Sequence, residues 1–275
     1  MSSHVDVRER LPHDLAWVVG LAVTFFSVKM CVDFRIGVDA HAYWAAYRDA
    51  PYRSAPTTVD AFLYSPAFLH VITPIAWLPW PVFAAVVMGA AAATFAYLLS
   101  PLGWRWAVPL WLCCTGEILT GNIFWALALA ALFGRRVPSL WVVPLLTKVA
   151  PGAGVLWFLV RREWRSLAVG VVTLVVVAGA SYGLAPGLWH DWVEFLLHNA
   201  GSSGHAVGSR VVPPPLVRFP FAVLLVAWGA HRQRPWTIPV GMLLATPVIG
   251  LGSFTILAAL VRLGYRPADH HRPRG

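Results

Sequence analysis

The sequence predicts an all-α protein, a polytopic transmembrane helical bundle with short broken helices and two extracytoplasmic loops. Of its 275 residues, 58% are hydrophobic and only 12% are charged, whereas about a quarter of the residues in a soluble domain are charged. A helix needs about 20 apolar residues to cross a bilayer. Four apolar runs approach that length: Leu15–Val32, Val82–Leu99, Leu167–Leu184 and Pro215–Ala230.

The formal charge of +9 comes from arginines that gather between the apolar runs. The clusters are Arg8/Arg10, Arg135/Arg136, Arg161/Arg162/Arg165, Arg232/Arg234 and Arg262/Arg266. This distribution is typical of cytoplasmic loops that face an anionic leaflet. A nucleic-acid-binding protein would instead need one contiguous basic face, so we expect the lipid bilayer as a partner and no nucleic acid.

The first polar loop, residues 33–61, is expected outside the cytoplasm. Residues 1–14 then form a cytoplasmic segment, and the first apolar run is an uncleaved signal anchor because no small-residue cleavage site follows it. Within the loop, "DAHAYWAAYRDA" favours a short helix with Asp39 as its N-cap. An N-cap role and a catalytic role for Asp39 both remain open at this stage.

Three later apolar stretches are interrupted by polar residues. Residues 106–133 are broken at "TGEILTGN", residues 138–160 at "TKVAPG" and residues 236–261 at "ATPVIGLGS". Arginines flank the first two stretches on both sides, so two short segments that meet at a polar tip fit the charge pattern better than one crossing. Broken helices are tolerated in membranes where they line a cavity, and the tips therefore predict a site.

A second extracytoplasmic loop is predicted at residues 185–214. Trp189, Trp192, Val193, Leu196 and Leu197 recur there at helical spacing, which is typical of an interfacial amphipathic helix. The transmembrane domain thus extends over residues 15–262. Residues 263–275 are polar and are expected to form a disordered tail.

Several motifs follow one another in an order that resembles a known family. "GVDAHAYW", "APY" and "FLYSPAFLHVITPIAWLP" are followed by "LTGN", by "TKVAP" and by the basic "RREWR". Together they resemble glycosyltransferase family 87, the polyprenol-phosphate-mannose-dependent mannosyltransferases of actinobacterial glycolipid synthesis. The resemblance covers roughly residues 10–262 and implies a GT-C-like fold. It also implies that Asp39 is the catalytic base, that Lys148 and Pro151 form the family's tip, and that Gly121 and Asn122 occupy a tip that usually reads Gly-Gln.

Sugar transfer from a lipid phosphate needs a base for the acceptor hydroxyl and cations for the departing phosphate. One carboxylate suffices for a single inverting displacement, because a phosphate leaves without protonation. Lys148 interrupts an apolar stretch, where a charge indicates function by default, although a snorkelling role stays open. The donor-phosphate candidates are Lys148, Arg210, Arg35 and Arg53, and the substrate-pocket candidates are His41, Tyr43, Tyr64, Asn122 and Glu117.

The expected function is therefore that of an integral membrane glycosyltransferase. It would move a hexose, mannose by the resemblance, from a polyprenyl-phosphate sugar to a glycolipid or glycan acceptor outside the plasma membrane. No DxD pair is present, so we expect no metal ion and no cofactor. The alternatives are a membrane transporter or lipid-handling protein, and a catalytically inactive relative whose last tip lacks the aromatic and histidine residues of many members.

Overall fold

The computed structural model of the protein describes residues 7–33, 35–56, 58–199 and 212–264. Within these ranges it contains fourteen α-helices, four short 3₁₀ segments and no β-strand, which confirms the all-α prediction. The α-helices are α1 Val7–Asp33, α2 Val38–Ala46, α3 Pro66–Ala76, α4 Trp80–Leu99, α5 Trp104–Leu112, α6 Thr115–Thr120, α7 Phe124–Phe133, α8 Val142–Thr147, α9 Leu156–Val160, α10 Trp164–Leu184, α11 Pro186–His198, α12 Pro215–His231, α13 Thr237–Ala245 and α14 Ala259–Gly264. The 3₁₀ segments are Ser100–Leu102, Pro138–Trp141, Ala150–Val155 and Leu251–Ala258.

Three helical segments among the described residues are long and apolar enough to cross a membrane. They are Pro12–Asp33, Trp80–Leu102 and Trp164–Leu184, with 22, 23 and 21 residues. They agree with three of the four predicted runs, and the protein is a polytopic membrane protein. The fourth run forms α12, which is apolar but shorter. Helix α1 begins at Val7, so it includes part of the predicted N-terminal segment.

All three apolar stretches are interrupted, although the "TGEILT" part of the first predicted interruption is itself helical and forms α6. Helices α6 and α7 are separated by residues 121–123, and Gly121, the C-cap of α6, adopts the left-handed conformation (φ 68°). Helix α8 ends at Thr147 with Lys148 as its C-cap, and the chain continues as a 3₁₀ segment from Ala150. Helix α13 stops before Thr246, and helical structure resumes at Leu251. The second and third stretches are therefore each two short segments joined at a tip, whereas the first also breaks at residues 113–114 and consists of α5, α6 and α7.

The predicted short helix of the first loop forms as α2, but Asp39 is not its N-cap. The helix starts at Val38, and Gly37 occupies the N-cap position with a φ of 71°. Asp39 lies one residue inside the helix, so its carboxylate is free of the capping role. The cap prediction was wrong because the left-handed turn at Gly37 starts the helix two residues earlier than the Asp-cap pattern requires.

In the second loop, α11 forms where the amphipathic pattern predicts a helix. The glycine- and serine-rich remainder, residues 200–211, lies outside the described residues, as do residues 265–275 of the predicted tail. Among the described residues, the main core combines the short helices with α12 and with the C-terminal half of α4, whereas α1 and α10 contribute no buried residue to it. Its fully buried members include Leu127, Ala131, Val226, Ile238 and Met242 of α7, α12 and α13.

Candidate active site

A cavity of about 500 Å³ lies where α1, α2 and the three broken stretches meet. Its wall contains five of the residues singled out from the sequence: Arg35, Asp39, Glu117, Asn122 and Lys148. The third tip contributes Gly250, Leu251, Gly252 and Ser253. The tips therefore converge on one cavity, as the broken-helix pattern predicts.

The Asp39 carboxylate is held by the tip between α6 and α7. Asn122 Nδ2 donates to Asp39 Oδ2 at 3.1 Å, and Asn122 Oδ1 accepts the Ile123 N–H at 2.7 Å. The second bond fixes the amide so that its NH₂ group faces Asp39. Burial raises the pKa of the Asp39 carboxyl above its ordinary value, and the charge of Lys148 and hydrogen bonds from Thr120 and Asn122 oppose that rise.

Two glycines let α2 lie directly on this tip. The Gly37 N–H donates to Leu119 O at 2.7 Å. Gly121 packs against α2 so closely that a Cβ atom there would come within 2.5 Å of Ala40 Cβ. Because Ala40 is the neighbour of Asp39, this contact sets the distance between the carboxylate and the α6–α7 tip.

Lys148 is the basic group of the second tip. Its N–H donates to Pro144 O at 2.9 Å, which ends α8, and its Nζ lies 4.1 Å from the centroid of the Phe124 ring. Asp39 and Glu117 act on the ammonium group electrostatically. Within the described residues Nζ has no hydrogen bond or ion pair, so its donors can face an anionic ligand in the cavity.

Glu117 lines the cavity and also makes a hydrogen bond that stabilises the start of α7. It is 2% exposed, and its Oε1 accepts the Phe124 N–H at 2.7 Å. Phe124 is the first residue of α7, so the carboxylate holds an N–H group that has no partner within the helix. The carboxylate also complements the positive end of the α7 dipole.

The residues of the "YSP" motif support the tip that carries Lys148 and do not line the cavity. Ser65 Oγ donates to Leu146 O at 2.7 Å, two residues before Lys148, and accepts the Phe68 N–H at 3.4 Å as the N-cap of α3. The Tyr64 and Tyr43 hydroxyl oxygens are 3.0 Å apart. Both tyrosines are buried, and they support α2 without forming the cavity wall that we predicted for them.

Arg35 belongs to a cluster at the edge of the cavity. Its Nη1 lies 3.4 Å from Asp60 Oδ2 and 3.0 Å from His41 Nδ1, and the His41 and Asp60 side chains are 2.6 Å apart. Arg35 lines the cavity, whereas His41 packs between Trp44 and Trp80 and does not. From the sequence we predicted no role for Asp60. In the structure Asp60 adopts a left-handed backbone conformation (φ 63°).

The other two predicted phosphate-binding arginines are not part of this cavity as described. Arg53 lines a separate groove together with Tyr52, Asp191 and Glu194. Arg210 lies outside the described residues. In the described part of the chain, no three His, Cys, Asp or Glu side chains are grouped so that they could hold a metal ion.

The sequence-based model of glycosyltransferase family 87 matches residues 62–272, which is more than half of the chain. The match includes the tips that carry Glu117, Asn122 and Lys148 and begins after α2, so Asp39 precedes it. No curated protein and no solved structure matches the chain. Three broken stretches that meet at one cavity, three membrane-length helices and this family match lead to one conclusion: the chain belongs to glycosyltransferase family 87 and is a membrane glycosyltransferase.

Proposed function

We propose that the protein transfers a hexose, mannose by the family resemblance, from a polyprenyl-phosphate sugar to a glycolipid or glycan acceptor. The acceptor hydroxyl attacks the anomeric carbon while the bond from that carbon to the phosphate oxygen breaks. Asp39 takes the hydroxyl proton, and polyprenyl phosphate leaves with the bonding electron pair. This single displacement inverts the anomeric centre and needs one carboxylate.

The observation that carries the proposal is the presence of Asp39 and Lys148 in one cavity wall. The carboxylate supplies a proton acceptor, and the ammonium group supplies a positive charge for the developing phosphate. A pKa raised by burial makes Asp39 a stronger base than an exposed aspartate would be. Arg35 at the cavity edge adds a second cation.

The shape of the cavity supports a substrate carried by a lipid. The wall formed by α1 includes the apolar side chains of Val23, Phe26 and Met30, and the third tip adds Leu251. Phe26 is 51% exposed and Leu251 is 71% exposed, so the apolar wall continues onto the outer surface of the helices. An isoprenoid chain can lie along that surface while its phosphate reaches Lys148.

The arginine distribution supports a site on the extracytoplasmic side of the plasma membrane. Phe124, at the start of α7, lines the cavity, whereas Arg135 and Arg136 follow the other end of the same helix. Arginine-rich loops stay in the cytoplasm. The cavity would then open toward the opposite face.

The test is sugar transfer from radiolabelled polyprenyl-phosphate mannose into a lipid extract by the purified protein. We expect labelled glycolipid with the wild type and none with Asp39→Asn. Asp33→Asn is the matched control, because Asp33 pairs with Lys29 at 2.6 Å outside the cavity and its loss should leave transfer intact. Transfer by the Asp39→Asn protein would overturn the assignment of Asp39 as the base. No transfer by a folded wild type would overturn the assignment of polyprenyl-phosphate mannose as the donor.

A further inference from the structure

A second cavity lies at the other end of α7. It has a volume of about 400 Å³, and its wall includes Arg135, Arg136, Arg262, Tyr97, Phe133 and Leu263. We refer to it as the arginine cavity. Since α7 has ten residues and a helix rises 1.5 Å per residue, the arginine cavity and the active-site cavity are separated by about 15 Å of helix.

The arginine cavity has a positive wall. Three guanidinium groups line it, and no acidic side chain does so among the described residues. Glu163 is nearby and acts on Arg135 electrostatically, but its carboxylate is engaged in an ion pair with Arg161. The uncompensated charge therefore faces the cavity.

One guanidinium group is held in a fixed orientation by the protein. Arg262 Nε and Nη2 donate to Tyr97 O at 2.9 and 2.6 Å, and Nη2 also donates to Ser100 Oγ at 3.0 Å. Its Cζ lies 3.6 Å from the centroid of the Tyr97 ring. This fixed orientation lowers the entropy that binding an anion would otherwise cost.

The other two arginines have donors that the protein does not use. Arg135 stacks over Trp157 at 4.7 Å, and its Nε is buried without a hydrogen-bond partner among the described residues. Arg136 is exposed and makes no side-chain hydrogen bond or ion pair within the described part of the chain. The Nη groups of both arginines make no hydrogen bond within the described residues, so they remain as donors for an anionic oxygen in the cavity.

We infer that the arginine cavity binds the phosphate group of an anionic membrane lipid. Guanidinium groups match phosphate oxygens in geometry as well as in charge. Tyr97 lies near the end of the membrane-length segment Trp80–Leu102, which is the depth of the headgroups. Phe133 and Leu263 supply the apolar side of the cavity against which the start of an acyl chain can lie.

The experiment is native mass spectrometry of the full-length protein in detergent with added phosphatidylglycerol. Phosphatidylcholine with the same acyl chains serves as the zwitterionic comparison. The cavity variant is Arg135→Gln/Arg136→Gln/Arg262→Gln, and the control is Arg105→Gln/Arg165→Gln/Arg232→Gln, which removes the same charge outside the arginine cavity. We expect the cavity variant to weaken phosphatidylglycerol binding about tenfold or more and the control to change it about twofold or less.

Equal losses in the two variants would overturn the inference, because bulk attraction of basic loops to anionic lipid would then explain binding. Unchanged binding in the cavity variant would overturn it as well. Displacement of the lipid by an equal concentration of inorganic phosphate would identify free phosphate rather than a lipid as the ligand. If the triple variant fails to fold, Arg136→Gln alone gives the answer, because this exposed side chain has no protein partner to lose in the described structure.

Discussion

The long helices α1 and α10 differ from the short broken helices in how much of each helix is buried. Only 11% of the apolar membrane-length stretch is buried in each of α1 and α10, and the exposed apolar side chains of these helices face the surroundings. By contrast, Leu127, Ala128 and Ala131 of the short helix α7 are fully buried. In the described structure α1 and α10 are thus mostly exposed, whereas α4, of similar length, contributes Phe95 and Leu98 to the core. The active-site cavity lies where the breaks meet α1.

The difference has a physical cause in the backbone. A continuous helix satisfies its own N–H and C=O groups and tolerates lipid on most sides, whereas every break exposes groups that need a partner. Ser65 binds Leu146 O, and Glu117 binds the Phe124 N–H. Arg218, which is 6% exposed, donates to the carbonyls of Leu244, Thr246 and Pro247 at the third tip. These partners bring polar side chains into the interior, where chemistry can use them.

The largest effect should follow the loss of the cation at a break. We expect Lys148→Gln to reduce kcat by about 10²–10³, the range found when one group that stabilises transition-state charge is removed. Lys29→Gln is the matched control, since Lys29 is the other lysine of the chain and pairs with Asp33 on α1. Transfer rates measured with saturating donor test this. Equal losses of kcat in the two variants would mean that a lysine at a break matters no more for transfer than a lysine on a long helix.

Much of this contrast could be predicted from sequence. Composition predicts the membrane-length helices, and polar residues inside apolar stretches predict the three breaks. Sequence could not predict which partners hold the breaks, because Arg218 and Leu244 belong to different helices and meet only after packing. The same holds for Asp60. In the sequence it is one of several acidic residues of a polar loop, and only the structure shows its contacts with Arg35 and His41. The assigned N-cap failed because the actual start depends on the contact between Gly37 and Leu119.

A smaller effect should follow a single added methyl group at the α6–α7 tip. Gly121→Ala places a Cβ within 2.5 Å of Ala40 Cβ at a backbone φ of +68°, so α2 must move and carry Asp39 with it. Since misplacement by about 1 Å can cost about 10²-fold in rate, we expect a loss of about ten- to a hundredfold in kcat. Gly89→Ala on α4 meets no atom within 4 Å and should leave kcat unchanged while raising the unfolding temperature.

A change in pH dependence should be smaller again. Protonated Asp39 cannot accept a proton, so kcat/KM should fall as the pH falls through the pKa of this group. Because burial raises that pKa, we expect the acid limb above the ordinary value of about 3.9. Asn122→Ala removes a hydrogen bond that lowers the pKa, so the limb should move further up. An acid limb at the same pH in Asn122→Ala would show that a group other than Asp39 titrates in this range.

The smallest effect should come from a lipid-facing position of a long helix. Val226 of α12 is fully buried and Val175 of α10 is 63% exposed, so Val→Ala removes the same two methyl groups from two surroundings. In Val226→Ala the loss of packing against the Gly241 region should destabilise the protein by on the order of 2 kcal/mol. In Val175→Ala, lipid chains replace the lost contacts, and the change should stay within about 0.5 kcal/mol. Thermal unfolding in nanodiscs measures both values, and similar losses would mean that α10 packs against protein in the membrane.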